Sequence, residues 1–294
     1  MKKKFNIIGK RKFFFAFSTI LMIICIGSLL INGLNYGIDF KGGTIIQIEM
    51  HQTFETDEIR KITETFDESA DITYAGEEQT QLIINTQESL NEEQIDSLFS
   101  KFQEKYDLKD KDLLSSDKVS ATIGSEFKTQ SILASIIAVL LILVYITFRF
   151  EFLFGFSAVL ALAHDLIAVL GAYSIFGVEV NSPFIAAMLT ILGFSVNDTI
   201  VIFDRIRENR RKYKKSQLFE LTNDSVNQTM GRSINTTLCV LLAIISLYLM
   251  GVQSIQDFIL PLIIGFISGS YSTIFIASSF WYVVQEKRQA AKAH

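Results

Sequence analysis

Long apolar runs are the feature that most constrains how this chain folds, because six of them are long enough to cross a bilayer. A membrane-spanning helix needs about 20 mostly apolar residues, and backbone that faces lipid must satisfy its hydrogen bonds internally. We predict one spanning helix over each run: 13–31, 129–148, 152–176, 184–203, 234–250 and 258–284. The fifth run is short, and we expect residues 226–233 to extend it. The sequence therefore predicts an α-helical integral membrane protein.

The placement of Lys and Arg predicts the orientation of these spans. Six basic residues precede the first run, seven lie within 205–215, and three lie in the tail 285–294. Basic residues favour the cytoplasmic side, and an even number of spans puts all three clusters on one side. The first run exceeds a signal peptide's apolar core and lacks a following cleavage motif, so we interpret it as a retained anchor. We predict a multi-pass cell-membrane protein with both termini in the cytoplasm, and with 1–34 as its N-terminus and first helix.

The segment 35–127 is then external, and its charge is strongly acidic. It holds 21 acidic and 8 basic residues, so the overall charge of −4 conceals a polarised molecule. The basic clusters flank spans, where they orient the chain and can contact anionic lipid of the membrane. They give no support for nucleic-acid binding.

A β-α-β-β-α-β pattern runs through the external segment. "GGTIIQIEM", "DITYAG", "TQLIINTQ" and "DKVSATIG" are typical of strands. "ETDEIRKITETF" and "LNEEQIDSLFSKFQEKY" have apolar residues at helical spacing, and Asn91 is suited to cap the second helix. This order predicts an α+β ferredoxin-like domain between the first and second spans.

The remaining chain, 128–284, is predicted to form a five-helix bundle. Short links join the second span to the third and the third to the fourth, so these helices are antiparallel neighbours. A longer cytoplasmic connector covers 205–231. Apolar residues within 216–230 fall roughly on one face, which fits either a helix on the membrane surface or a solvated connector.

Asp198 is the sharpest functional candidate, because a carboxylate inside a spanning helix needs a partner or a wet cavity. Helical spacing places it on one stripe with Ile191, Ser195, Ile202 and Arg205, and this stripe must face protein or water. One interpretation is a proton carrier whose affinity depends on burial and a nearby cation. The other is a neutral or paired residue that joins helices.

Arg232 is the predicted partner of Asp198, since it opens the fifth span beside polar residues. Its permanently charged fork of donors suits a carboxylate. The alternative is an inner-edge arginine whose side chain reaches out to the lipid headgroups.

His164 and Asp165 lie midway along the third span and are the second candidate site. Neighbouring helix residues point about 100° apart, so only one of the two can face a given cavity. A pair that joins helices is at least as well supported as a proton relay. Cys25 and Cys239 both lie in apolar spans and are expected to be buried in packing.

Two motifs resemble a known family. "NYGIDFKGGT" follows the first span and resembles the Gly-Gly signature of the SecF branch of the SecD/SecF family, in the resistance-nodulation-division superfamily. "GFSVNDTIVIFDRIREN" in the fourth span resembles that branch's second hallmark. The resemblance covers essentially the whole chain. The motif residues that carry it are Gly37, Asp39, Gly42, Gly43, Asp204, Arg205 and Arg207.

The resemblance implies a subunit that works with SecD and the Sec translocon on a translocating unfolded polypeptide, driven by the proton-motive force. It places the family's intramembrane carboxylate at Asp198 and the arginine that opens the fifth span at Arg232. The glycines of the first motif also fit a simpler role, a tight turn into the first strand.

Two other functions remain open from the sequence: a structural assembly subunit without proton coupling, or half of a small-molecule efflux transporter. The small external segment disfavours the efflux transporter. No nucleophile–base pair, phosphate loop or metal-ligand spacing occurs, so we predict neither an enzyme nor a cofactor.

Overall fold

The computed structural model describes residues 5–67, 70–75, 79–250 and 253–291. In chain order its elements are α1 (Arg11–Ile31), β1 (Asn35–Tyr36), α2 (Ile38–Lys41), β2 (Gly43–Glu49), α3 (Thr56–Thr63), β3 (Asp71–Ala75), β4 (Gln81–Thr86), α4 (Glu92–Tyr106), β5 (Leu113–Val119), α5 (Ala121–Arg149), α6 (Phe152–Phe176), β6 (Glu179–Val180), α7 (Ser182–Asn209), α8 (Leu218–Leu249), α9 (Gln253–Tyr271), a π-helical segment (Ser272–Ala277) and α10 (Ser278–Ala291).

Among the described residues, six helical segments are long and apolar enough to cross a membrane, which confirms the predicted number of spans. They are α1, α5, α6, α7, α8 and the continuous segment of α9, the π-helical turns and α10. α6, α7 and the last segment bury much of their surface, whereas α1, α5 and α8 leave most of theirs exposed. The first three therefore form the centre of the bundle.

The connector after the fourth span is shorter than predicted. α7 continues to Asn209, and α8 begins at Leu218 and runs without a break through the fifth span. Residues 218–230 are therefore part of the helix that contains the fifth span, and neither alternative given above, a separate surface helix or a solvated connector, describes them. Polar residues of α8 contact protein instead: Asn223 Oδ1 accepts hydrogen bonds from the backbone N–H groups of Ile7 and Ile8.

Residues 43–119 form an α/β unit with its own apolar core. The four strands lie in the order β3-β4-β2-β5, and every neighbouring pair is antiparallel. α3 and α4 supply buried residues to the core, including Ile59 and Phe102. The predicted cap of α4 is confirmed, since Asn91 Oδ1 accepts from Gln94 N while Gln94 Oε1 accepts from Asn91 N. Residues 76–78, between β3 and β4, lie outside the described residues.

The α/β unit is attached to the bundle at several points. β1 pairs in parallel with β6, the two-residue strand between α6 and α7. α2 packs on the start of α5, and β3 packs on α9. α5 begins at Ala121, two residues after β5 ends, so the second span starts earlier than the apolar pattern indicated. These contacts define a domain end of the bundle; the opposite end carries the α5–α6 and α7–α8 connections and is called the basic end.

Glycines allow close helix contacts inside the bundle. A Cβ atom at Gly171 of α6 would overlap the side chain of Cys25 on α1. One at Gly265 of α9 would overlap Ile191 on α7. Such small residues let the backbones of membrane helices approach closely. The expected burial of cysteine is confirmed for Cys25 and wrong for Cys239, which lies on the exposed side of α8.

Candidate functional site

Asp198 lies in the centre of the bundle with one carboxylate oxygen unsatisfied. Asp198 is 8 % exposed, and its Oδ1 accepts a hydrogen bond of 2.6 Å from Ser233 Oγ on α8. Its Oδ2 is buried without a hydrogen-bond partner. A buried polar atom without a partner costs free energy, so the described residues do not fully satisfy this carboxylate.

The stripe that carries Asp198 faces protein, as its spacing predicted. Ile191, Ser195 and Ile202 are fully buried, and only Arg205 at the basic end is partly exposed. The fourth span therefore turns its polar stripe toward α8, α9 and the π-helical segment rather than toward lipid.

Arg232 does not form the predicted ion pair. Ser233, its neighbour in the chain, bonds Asp198 instead, while Arg232 lies on the exposed side of α8. Within the described residues, no ion pair joins Arg232 to Asp198. Arg232 is still close enough to affect the electrostatic environment of that carboxylate.

Arg232 lines a cavity of about 410 Å³ that lies toward the basic end. Polar residues from α5, α7 and α8 dominate the lining, and Ile200 and Val201 belong to the turn of α7 that follows Asp198. The remaining lining residues are Tyr145, Arg149, Phe150, Asp204, Arg205, Glu208, Gln228 and Thr229. Asp198 itself is not one of the lining residues, but the cavity brings polar surface to the next turn of the same helix.

Asp165 is fully buried and, unlike Asp198, well supplied with donors. Its Oδ2 accepts from Ser195 Oγ at 2.7 Å and from Ser272 Oγ at 2.9 Å. Its Oδ1 accepts from Ser268 Oγ at 2.8 Å. The network joins α6, α7 and α9 and includes the first residue of the π-helical segment.

His164 points away from the serine cluster and toward α1. Its Nδ1 lies 3.4 Å from Asp165 Oδ1, and its Nε2 lies 3.2 Å from Ser18 Oγ. Ser18 Oγ donates to Tyr271 Oη, which in turn donates to the backbone carbonyl of Phe14. The two neighbouring side chains thus reach different helices, as the angle between them requires.

The hydrogen bonds from serines to the two carboxylates were not predicted from the sequence. Ser195 was placed on the Asp198 stripe and Ser233 was counted among the polar residues beside Arg232, but neither was assigned as a donor. Ser268 and Ser272 were missed, because they are short polar residues in an apolar span and carry no motif. One signal was present: Ser268 and Ser272 are four residues apart, so they occupy one helix face. The π-helical turns that begin at Ser272 are a second feature often found at functional positions.

The "GIDFKGG" motif forms the joint between the α/β unit and the bundle. Asp39 Oδ2 accepts from the backbone N–H of Ser182 at 2.7 Å and from its hydroxyl at 2.6 Å, at the first turn of α7. A carboxylate there satisfies a free helix N–H group. Gly42 and Gly43 have φ of 85° and 152°, and a Cβ at either would overlap backbone atoms.

Gly37 of the same motif lies against Glu179. A Cβ at Gly37 would overlap the Glu179 carboxylate. The absence of a side chain at Gly37 therefore leaves room for the Glu179 carboxylate at the joint.

The second motif ends in exposed ion pairs. Arg207 donates to Asp204 at 2.6 Å, and Arg205 donates to Glu208 at 2.7 Å, both across one helix turn. Exposed pairs of this kind contribute little to stability. Among the described residues no group of three or more His, Cys, Asp or Glu side chains could hold a metal ion.

The fold and site define a multi-pass α-helical membrane protein with an α/β unit inserted after its first span and buried ionisable residues inside its bundle. Two family descriptions match this chain: "Protein export membrane protein SecD/SecF, C-terminal" over residues 99–287, and "SecD/SecF GG Motif" over residues 27–53. The chain belongs to the SecD/SecF family.

Its relatives include separate subunits and longer fusions. It is 35% identical to the protein translocase subunit SecF of Petrotoga mobilis, over 98% of this chain and 99% of that one. It is 37% identical to the SecF subunit of Dictyoglomus turgidum, over 95% and 97%. A crystal structure of SecDF from Thermus thermophilus superimposes with a TM-score of 0.83 at 34% identity, over 98% of this chain and 39% of the longer one.

Proposed function

We propose that this protein is the SecF subunit of a SecD–SecF complex that assists Sec-dependent protein export with energy from the proton-motive force. Its relatives carry the names SecF and SecDF and are called protein translocase subunits. The observation that supports ion coupling is the unsatisfied Oδ2 of Asp198, which is buried in the bundle one helix turn from the residues of α7 that line the Arg232 cavity.

In this proposal Asp198 alternates between protonated and ionised states. A proton on Oδ2 gives the carboxyl a neutral form suited to its buried position. When Arg232 approaches, its charge favours the ionised form. The side chain of Arg232 is exposed in the isolated chain. In this proposal, a partner that covers the outer face of α8 brings Arg232 toward Asp198.

That outer face supports a second membrane subunit as the partner. Arg232, Asn235 and Thr236 are exposed polar residues within the fifth span. Polar groups in a span need protein or water as neighbours. This chain matches only 40% of the length of a SecDF relative, so the remainder of such a protein provides room for a SecD-type half.

The α/β unit is the proposed external domain, which contacts the translocating polypeptide or the translocon. Its β-α-β-β-α-β order and its antiparallel four-stranded sheet support the proposed ferredoxin-like fold. The basic end carries Arg149, Arg205, Arg207 and Arg210, and the positive-inside rule places that end in the cytoplasm. We place the domain boundaries at 35–127 and 128–284, with both termini cytoplasmic.

His164 and Asp165 are assigned to the same pathway in the leading proposal. The three serine donors to Asp165 favour a second interpretation, in which this carboxylate holds α6, α7 and α9 together and does not move protons. If Asp198 behaved in the same way, the protein would be an assembly subunit without ion coupling.

An Asp198→Asn substitution separates these functions. The complex with SecD is reconstituted in proteoliposomes, and proton flux is followed with a pH-sensitive dye together with export under an imposed gradient. Asn keeps the Ser233 hydrogen bond but cannot ionise, so we expect assembly to persist and gradient-driven export to be lost. Asp117→Asn, an exposed carboxylate on β5, is the control. Wild-type flux and export in Asp198→Asn would leave the assembly role as the better account.

A further inference from the structure

A second and larger cavity lies at the basic end, apart from the Asp198 region. Its volume is about 770 Å³, which is within the range of small-molecule sites. Its walls come from the start of α6, the α7–α8 connection, the start of α8 and the end of α10. The lining residues are Glu151, Arg210, Tyr213, Lys214, Lys215, Ser216, Leu218, Leu221, Gln285, Arg288 and Gln289.

The charge in this cavity is unbalanced. Arg210 is already engaged, because its guanidinium group makes two hydrogen bonds to the Glu151 carboxylate. Lys214, Lys215 and Arg288 are exposed, and the part of the chain that the structure describes gives none of them an ion pair. Three cations therefore line one cavity, and none of the described residues forms an ion pair with them.

The Arg210–Glu151 pair fixes one wall of the cavity. Arg210 also lies over the rings of Phe154 and Trp281, with distances of 5.5 and 5.4 Å from its Cζ to the ring centroids. Trp281 is fully buried. The cavity that Lys214, Lys215 and Arg288 line therefore has one wall already fixed in position.

The cavity lies at the ends of helices that contain spans. α7 ends at Asn209, α8 begins at Leu218, and α6 begins at Phe152, so we infer that the cavity is near the level of the lipid headgroups. Leu218 and Leu221 supply buried apolar surface beside the charged rim. A ligand that fits would carry a compact anion next to an apolar part.

We propose that this cavity binds the phosphate of an anionic membrane lipid. Lys214 and Lys215 approach the phosphate from the α7–α8 connection and Arg288 from α10, so the bound lipid bridges these segments. Arg offers a fork of donors that matches phosphate oxygens, and Lys adds a compact charge. Leu218 and Leu221 contact the lipid beyond its headgroup. The proposal does not depend on ion coupling, since it uses neither Asp198 nor Arg232.

The chain contains its own matched control. Arg211, Lys212 and Lys287 are exposed cations on the same two segments, but they do not line the cavity. A triple variant Lys214→Gln/Lys215→Gln/Arg288→Gln removes the cavity charges. The control Arg211→Gln/Lys212→Gln/Lys287→Gln removes the same net charge beside it.

Native mass spectrometry of the full chain in mild detergent measures the binding. Phosphatidylglycerol or phosphatidylcholine is added at the same molar ratio of lipid to protein, and the lipid-bound fraction of the protein is compared across variants. We expect the wild type and the control to prefer phosphatidylglycerol, and the cavity variant to bind it on the order of tenfold more weakly. Unchanged thermal unfolding midpoints without lipid would show that the variants are folded.

A second arm separates lipid from free anion. Millimolar inorganic phosphate is added to lipid-free protein, and the unfolding midpoint is recorded. The same midpoint is recorded with phosphatidylglycerol for comparison. If phosphate raises the midpoint of the wild type and the control as much as phosphatidylglycerol does, the site binds a free anion. If phosphate does not raise the midpoint, the ligand is the lipid. An equal loss of lipid binding in both triple variants, or no preference in the wild type, would overturn the proposal.

Discussion

Glu179 provides a test of how the α/β unit is joined to the bundle. It lies in β6, outside the spans, and is partly buried against Gly37. Burial raises its pKa to about 7, with further contributions from Asp71, Asp257 and Asp39, and Lys41 opposes the rise. These groups come from β3, α9 and α2, so the carboxyl group is sensitive to the α/β unit, to the bundle and to the motif that joins them.

The sign of the effect follows from the raised pKa. Because Glu179 has a pKa of about 7 in the fold against a reference of 4.5, the folded state binds more protons between these values. Its contribution to the free energy of unfolding is therefore fully present below about pH 4.5 and is lost as the pH rises through 7. The difference in pKa corresponds to about 3 kcal/mol.

A Glu179→Gln substitution should remove this pH dependence. Gln keeps the shape but stays neutral, so the variant should match the wild type near pH 5 and exceed it at pH 8. For a chain of this size, about 3 kcal/mol corresponds to roughly 6 °C in the unfolding midpoint. The measurement is thermal unfolding of the full chain in detergent between pH 5 and 9.

Glu104→Gln is the control, because Glu104 is exposed on α4. It should shift the unfolding midpoint equally at all pH values or not at all. If Glu179→Gln differs from the wild type by the same amount at pH 5 and pH 8, the Glu179 carboxyl is not held neutral by burial. The interpretation of the joint would then be wrong.

Three further predictions test the bundle and the α/β unit. Arg232→Lys should lower gradient-driven export by at least about tenfold, because Lys lacks the bidentate fork; full activity would favour the headgroup-facing interpretation. Gly171→Ala should cost about 1–3 kcal/mol in thermal unfolding, because its methyl group overlaps Cys25. Gly193→Ala meets open space and should not destabilise; equal losses would refute the contact. Residues 43–119 alone should melt cooperatively with a mixed α/β circular dichroism spectrum, and a random-coil spectrum would contradict their separate core.

The sequence alone determined the number of spans and the pattern of the α/β unit. Both depend on properties that are local along the chain: apolar runs of spanning length, alternation in strands, and the capping residue Asn91. It also determined that Asp198 faces protein, because a charged stripe cannot face lipid. The family resemblance likewise depended on contiguous motifs.

The tertiary structure alone decided which groups meet. The donors to Asp165 come from α7, α9 and the π-helical segment, 30 to 107 residues away in the chain, so no local pattern could select them. Ser233 rather than Arg232 reaches Asp198, because neighbouring residues on a helix point about 100° apart and only the serine faces α7.

The same reason explains the cavities and the joint. Lys214 and Arg288 are 74 positions apart in the sequence and share a cavity only because α10 returns to the basic end. β1 and β6 have two residues each and are too short to be predicted as strands from the sequence. They pair because α1 and α6 end at the same level. Hydropathy fixes how each segment meets the membrane, whereas helix packing decides which polar side chains become neighbours.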